Sequence, residues 1–306
     1  MKKILCVGEL LVDFFCTETN INLAEGSHFI KQAGGAPANV CAAIAKLGGQ
    51  AAFCGKVGED AFGDFLEQEL TKAGVNTSLL VRGETPTTLA FVSRTAAGER
   101  DFMFNRGADE TLVMNEVKIE QQDIGVAHFG SATALLSSPF YDTYMNIMKM
   151  LRKQGVFISF DPNYRYDLWK GKEEEYDKRV RTCIDMADFV KMSEEEFARF
   201  GRRVPQGKWF AVTKGDQGTW ISNGVEEAVI KSIDIDPIDT TGAGDAFVGA
   251  MLKCISDYPT LKDIDFHKFK QLTRFSNIVG ALVCTEIGAM TALPSMKDVL
   301  SYMEHE

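Results

Sequence analysis

Short apolar or β-branched runs recur along the chain, at Ile4 to Val7, Ala51 to Val57, Val126 to Phe129, Val156 to Phe160, Phe189 to Met192 and Phe210 to Thr213, bounded by Gly, Asp or Ser. Their brevity and continuous apolarity predict strands covered on both faces. Between them lie segments of helical period with end signals. Pro37 to Leu47 has Pro in its first turn and Gly48-Gly49 behind it, and Pro139 to Gln154 has Ser138 as expected N-cap and Gly155 after it. This alternation predicts a doubly wound α/β fold with a mostly parallel sheet. Two stretches break the rhythm: Leu11 to Lys31 and Thr87 to Phe104 alternate apolar and polar residues, with a turn signal at Ala97-Gly98, and hold no helix of useful length. They predict antiparallel strands of a small accessory sheet, inserted in two pieces at one edge and suited to be a lid over a cleft. No repeat or linker divides the chain, so residues 1–306 are expected to form one domain.

Composition narrows the function classes. At 306 residues, 45% hydrophobic and 25% charged, the chain can bury a core without metal or disulfide staples. The net charge of -10, with no basic cluster, argues against nucleic acid and anionic membranes as partners. The seven cysteines are scattered and odd in number, which predicts reduced core thiols and a cytoplasmic setting. After Met1-Lys2-Lys3 the apolar run is broken by Glu9 and Asp13, too early for a signal peptide, and no stretch approaches a membrane span.

The segment Asp239-Thr240-Thr241-Gly242-Ala243-Gly244-Asp245 leads into the apolar run Ala246-Phe247-Val248. A Gly-Ala-Gly turn opening a helix leaves backbone N–H groups free at the positive end of the helix dipole, an anion site that small residues let a phosphate approach. A capped helix with Asp245 on its dipole is the plain structural alternative. It leaves unexplained a carboxylate beside an anion site, which suits a base for an incoming hydroxyl. No G-x-x-x-x-G-K-[ST] occurs, and Phe247 stands where a dinucleotide fingerprint has its third glycine. A second glycine site, Gly34-Gly35-Ala36-Pro37-Ala38-Asn39, offers backbone amides and a donor-acceptor amide suited to a sugar hydroxyl; a tight turn fits that segment equally well.

Together, Gly34-Gly35-x-x-x-Asn39 and Asp239-Thr240-x-Gly242-Ala243-Gly244-Asp245, about two hundred residues apart and in that order, resemble the two signatures of the ribokinase-like (PfkB) carbohydrate kinases, and the resemblance covers the whole chain. It implies a ribokinase-like α/β fold with a central sheet flanked by helices and a β-sheet lid, and transfer of the γ-phosphate of MgATP to a sugar hydroxyl. By that resemblance Asp245 is the catalytic base, and Gly242, Ala243 and Gly244 form the anion hole. Asp13, Gly34, Gly35 and Asn39 hold the sugar. On the nucleotide side, Ser193-Glu194-Glu195-Glu196 fits a capping box. It also stands at the family's N-x-x-E motif, with Ser193 replacing Asn, which weakens a direct phosphate contact and leaves Glu196 as a water-mediated Mg²⁺ group. Thr213, Gly215 and Gly218 resemble the nucleotide loop, with a plain hairpin as the alternative. Asn277 matches an Asn near adenine, with a helix-surface Asn as the alternative. The resemblance also implies a K⁺-type monovalent cation at Asp239 and Thr241 with carbonyls near Gly288, and a homodimer through the lid.

The run Asp161-Pro162-Asn163-Tyr164-Arg165, the segment Phe102-Met103-Phe104 with Arg106, and the tail Gly288 to Pro294 are similar to fructokinases. Phe104, Arg106 and Arg165 are therefore expected at the sugar. Arg106 and Arg165 could instead pair with the carboxylate of 2-keto-3-deoxygluconate, although those kinases tend to carry Tyr where Phe104 stands. Ribokinase and aminoimidazole riboside kinase rank lower. An ion pair with Asp161 or Asp167 is the structural alternative for Arg165. A nonenzymatic sugar or nucleotide sensor is the reading from another class, and loss of Asp245 or of the Gly242 to Gly244 turn would mark it.

Overall fold

In the computed structural model, residues 1–18, 20–94, 100–119, 122–200, 203–258 and 264–305 are described. In chain order they form β1 (Lys3–Val7), β2 (Leu11–Cys16), β3 (Phe29–Gly34), α1 (Ala36–Lys46), β4 (Ala51–Gly58), α2 (Ala61–Lys72), β5 (Asn76–Gly83), β6 (Leu89–Arg94) and β7 (Arg100–Asn105). The order continues with β8 (Ile124–Phe129), α3 (Phe140–Lys153), β9 (Phe157–Phe160), α4 (Tyr166–Trp169), α5 (Glu173–Met186), β10 (Phe189–Ser193) and α6 (Glu194–Phe200). Then follow β11 (Trp209–Thr213), β12 (Thr219–Ser222), β13 (Glu227–Ile230), α7 (Ala243–Ser256), α8 (Phe266–Val283) and α9 (Met296–His305).

All six apolar runs are strands of one sheet, ordered β13-β12-β11-β10-β9-β8-β1-β4-β5. From β11 to β5 the pairs are parallel, and β12 and β13 add an antiparallel hairpin at one edge. β1 shows why continuous apolarity is required: Ile4 and Cys6 pack on the side of α1, α7 and α8, while Leu5 and Val7 pack on the side of α3 and α5. The edge strands β5 and β13 and the neighbouring β12 carry polar residues such as Asn76, Ser78, Ser222 and Glu227, so apolar patterning does not reveal them. From β1 the chain winds outward through β4 and β5, then returns to β8 on the other side of β1. Strand order thus reverses between β1 and β8, and a crevice opens at their C-terminal ends.

Two expectations need correction. Helix α3 begins at Phe140 with Pro139 at its cap and no side-chain cap bond, so Ser138 is not its N-cap. The first turn is tied instead by the Tyr141 amide donating to the Ser137 carbonyl at 2.9 Å. The accessory sheet, ordered β3-β2-β6-β7, is not all antiparallel, because its central pair β2/β6 is parallel. Each insertion leaves the main sheet as one strand and returns as another, and the two outgoing strands pair in the middle. The expected Ala97-Gly98 turn lies outside the described residues. One face of this sheet presents Leu11, Asp13, Phe15, Val92, Phe102 and Phe104 to the crevice. On the other face Phe14 stacks on Phe91 at 5.1 Å and meets Phe62 of α2 edge-on at 5.7 Å.

Carboxylates fasten the root of the small sheet. Asp60 caps α2 by accepting from the Phe62 and Gly63 amides, and also accepts from the amide and hydroxyl of Thr87, just before β6. Buried Asp109 accepts from Thr88 and Thr133, and Arg106 donates to it at 3.1 Å. Glu9, buried after β1, accepts from the Ser131 hydroxyl and from the amides of Ala36 and Ala132, joining the start of α1 to the β8 end.

Asp60→Ala is expected to lower stability by about 1–2 kcal/mol, the cost of a lost N-cap, read as a fall in the denaturation midpoint; an unchanged midpoint contradicts it. Burial raises the Glu9 pKa from 4.5 to about 7, against the lowering effect of the Ser131 hydroxyl. Between those pH values the native state keeps a proton that the unfolded chain has released, so the stability contributed by Glu9 falls as pH rises. Glu9→Gln should therefore flatten the melting temperature against pH across that window, and an unaltered slope counts against it.

Candidate active site

The floor of the crevice is the start of α7. Gly242 is its N-cap in the left-handed region, φ 80°, and a Cβ there would lie 2.6 Å from that of Ala289. No side chain caps this end; the Ala243 amide makes only a long 3.4 Å bond to the Thr240 carbonyl, and the N-terminus of the helix faces the crevice. Two cavities meet here. One, of about 470 Å³, lies under the small sheet and is lined by Asp13, Gly35, Asn39, Phe104, Arg165 and Asp245 among others. The other, of about 440 Å³, is lined by Thr213, Gly215, Gly218, Phe247 and Asn277 among others. Thr240 and Gly244 line both; Gly242 faces the first and Ala243 the second.

Asp245 accepts a 2.8 Å hydrogen bond from the Asn39 side-chain amide. The bond forms because α1 and α7 pack closely at a glycine: a Cβ on Gly249 would lie 2.6 Å from that of Ala43 and 2.9 Å from the Val40 carbonyl. Burial raises the Asp245 pKa from 3.8 to about 6, restrained by the Asn39 bond and by the Lys191 charge. The Asn39 Oδ1 is buried with no partner among the described residues, leaving an acceptor beside the carboxylate. Asp13 faces the same space. Burial raises its pKa to about 7 against the lowering effect of Arg165, and a Cβ on Gly34 would collide with its carboxylate, which explains the glycine there. Gly35 is the N-cap of α1.

Four predicted residues, Arg106, Asn277, Ser193 and Glu196, are hydrogen-bonded within the chain. Arg106 is absent from the lining of the first cavity; it donates to Asp109 and, at 2.9 Å, to Ser137. Asn277 lines the second cavity, yet it donates both amide hydrogens to the Ile230 and Lys231 carbonyls and accepts from Thr219, so none is left to donate to a base. Ser193 and Glu196 form the predicted capping box, at 2.8 and 3.2 Å. Glu196 also accepts from the Tyr164 amide at 2.7 Å while lining the first cavity. Asp239 accepts from the Thr241 amide and hydroxyl and from the Gly288 amide at 3.0 Å, which brings the three expected cation residues together. Arg165 forms no ion pair with Asp161 or Asp167; it donates to the Tyr164 carbonyl and borders the crevice.

Patterning passed over Lys191 and Glu9. Lys191 is buried in the crevice wall, 3.0 Å from Asp161 and close enough to Glu196 and Asp245 for their charges to act on it. Burial opposes its charge, but Asp161, Glu196 and Asp245 together raise its pKa. Each is a charged residue inside an apolar run, and burying it without a task would be costly. Buried carboxylates and open helix amides suit phosphates and a hard cation held through water. Among the described residues no three His, Cys, Asp or Glu gather into an all-protein metal cage, and no helix is long and apolar enough to cross a membrane.

Known proteins share this fold. Fructokinase-1 of Oryza sativa subsp. japonica is 38% identical over 318 residues, covering 98% of this chain and 97% of its own. The crystal structure of fructokinase with bound ATP from Xylella fastidiosa superposes with a TM-score of 0.88 at 30% identity, covering 100% of this chain and 99% of that one. Fructokinase from Vibrio cholerae O395, in its fructose, ADP and calcium ion bound form, gives 0.84 at 30% identity over 99% of both chains. The description "pfkB family carbohydrate kinase" matches residues 1–296. A ribokinase-like sheet, two cavities that meet at a glycine turn and a carboxylate at that junction accord with these matches: the chain belongs to the pfkB family of carbohydrate kinases, ATP-dependent sugar kinases.

Proposed function

We propose that this kinase transfers the γ-phosphate of ATP to the 6-hydroxyl of D-fructose, giving fructose 6-phosphate. The observation that carries the reading is the place of Asp245, at the junction of a sugar-sized polar cavity and a second, less polar one, beside open helix amides. Asp245, held by Asn39, takes the proton of the attacking hydroxyl. The amides of Gly242, Ala243 and Gly244 receive the transferred phosphoryl oxygens, and Lys191 keeps Asp245 ionised while offsetting charge. Mg²⁺, held through water at Glu196, would neutralise phosphate charge. Asp13, Gly35, Asn39 and Arg165 hold sugar hydroxyls, with Phe102 and Phe104 against the apolar face of the sugar.

The cavity disfavours 2-keto-3-deoxygluconate. Phe104 brings no hydroxyl, Arg106 is spent on Asp109, and Asp13 and Glu9 oppose a substrate carboxylate. The small sheet acts as a lid made of segments about 11–31 and 87–104. Ile30 and Met103, exposed on its edge strands, support a homodimer through it. A monovalent cation at Asp239, Thr241 and Gly288 and a cytoplasmic setting complete the reading.

Coupled ATP turnover with fructose, 2-keto-3-deoxygluconate, ribose and an aminoimidazole riboside, run in parallel, should give the highest kcat/KM with fructose. If fructose gives no more than the others, the substrate is wrong. Asp245→Asn should lower kcat by roughly 10²–10⁴-fold while leaving fructose binding largely intact, and near wild-type kcat rules out the base. Because the base must be ionised, kcat/KM should fall as pH drops through about 6, the raised value of Asp245; a profile flat down to the ordinary carboxylate range contradicts it.

A further inference from the structure

We propose that Arg199, outside the crevice on α6, is a positioning residue for the sugar site, acting through Tyr164 on Arg165. The inference rests on the reading that Arg165 faces the sugar.

Residues 161–165 leave β9 at the crevice and carry Asp161, Tyr164 and Arg165 into its wall. The segment is irregular: Asn163 has φ 47° and donates through its side chain to the Gly130 carbonyl at 3.3 Å. Arg165 is exposed and forms no ion pair among the described residues, so its own contacts do little to fix it. Its charge nevertheless acts on both Asp13 and Asp245. Its direction must therefore come from the residue before it.

Tyr164 is held from two sides by α6. Glu196 accepts from its amide at 2.7 Å, and one turn later the Arg199 guanidinium lies 5.1 Å from its ring centre and 5.7 Å from that of Tyr176. The Tyr164 and Tyr176 rings are 4.8 Å apart, and the Tyr176 hydroxyl donates to the Pro162 carbonyl at 3.2 Å. Arg199 is itself fixed by Asp177 at 2.5 Å and by the Glu173 carbonyl at 3.3 Å, both on α5. A planar guanidinium can stack on a ring and donate sideways to two oxygens at once; a lysine ammonium reproduces only part of that. Arg199 thus ties α5, α6 and the crevice segment into one body without lining the cavity.

The test is steady-state kinetics on Arg165→Ala, Arg199→Met, Arg199→Lys and the Arg165→Ala/Arg199→Met double variant, with fructose or whichever sugar of the panel is turned over. Arg199→Met should raise the sugar KM by about 3- to 10-fold, leaving kcat and the ATP KM within about 2-fold, and Arg199→Lys should recover part of the loss. The double variant should match Arg165→Ala alone, because residues acting through one contact are not additive. A raised sugar KM in Arg165→Ala with none in Arg199→Met overturns the proposal, as do additive effects or an equal rise in the ATP KM. An unchanged sugar KM in Arg165→Ala overturns the sugar-facing reading of Arg165 and the proposal with it. Should Arg199→Met fail to fold, Asp177→Asn, which loosens Arg199 from outside the crevice, carries the same expectations and the same grounds for rejection.

Discussion

The hydrogen bond from Asn39 to Asp245 joins residues 206 positions apart and sets the geometry on which the rest of the site depends. It exists only because α1 and α7 approach closely, and Gly249 of α7 permits that approach by leaving room for Ala43 and the Val40 carbonyl of α1. A side chain at Gly249 would separate the helices without touching either polar group. Core packing therefore places the carboxylate. The same side chain leaves its oxygen buried without a partner among the described residues, so one amide orients the carboxylate and keeps an unused acceptor beside it.

Charge is the second constraint. The crevice gathers Glu9, Asp13, Asp161, Glu196 and Asp245 against Lys191 and Arg165 in a chain of net charge -10. Burial shifts Glu9, Asp13 and Asp245 toward the protonated form, which relieves part of the repulsion. The overall field does not favour an anionic nucleotide. Attraction must be local, from the amides of α7 and from Lys191, which lies 3.0 Å from Asp161. A neutral polyol meets no such penalty at the acidic inner end.

Much of this was legible in the sequence because apolar runs and glycine turns have local causes. The six buried strands and the turn at Gly242 follow from burial on two faces and from a left-handed cap, both properties of the residues themselves. What escaped is each side chain's set of partners in the fold. Arg106 is bonded to Asp109, three residues on, and to Ser137 across the fold, and Asn277 gives its hydrogens to two carbonyls of a distant strand end. The parallel β2/β6 pair escaped for the same reason, since pairing direction belongs to the topology and not to either strand. Lys191 and Glu9 could have been found, because a charge inside an apolar run signals a buried task.

The two walls of the crevice are fastened differently, and the difference has mechanical meaning. The floor is cross-tied: Asn39 to Asp245, Asp161 to Lys191, and Tyr164 to Glu196 and Arg199. The small sheet joins the main body through polar bonds concentrated at its root, around Asp60, Thr87, Thr88 and Asp109, and rests Phe14 on Phe62 of α2. Apolar contact is nondirectional and tolerates sliding, whereas the floor bonds do not. A sheet pivoting at that root would carry Asp13, Phe102 and Phe104 toward a floor whose carboxylate and arginine stay in place. In the proposed reaction, exclusion of water and completion of the sugar contacts would then be one motion, and the fixed floor would set where the reacting hydroxyl stops.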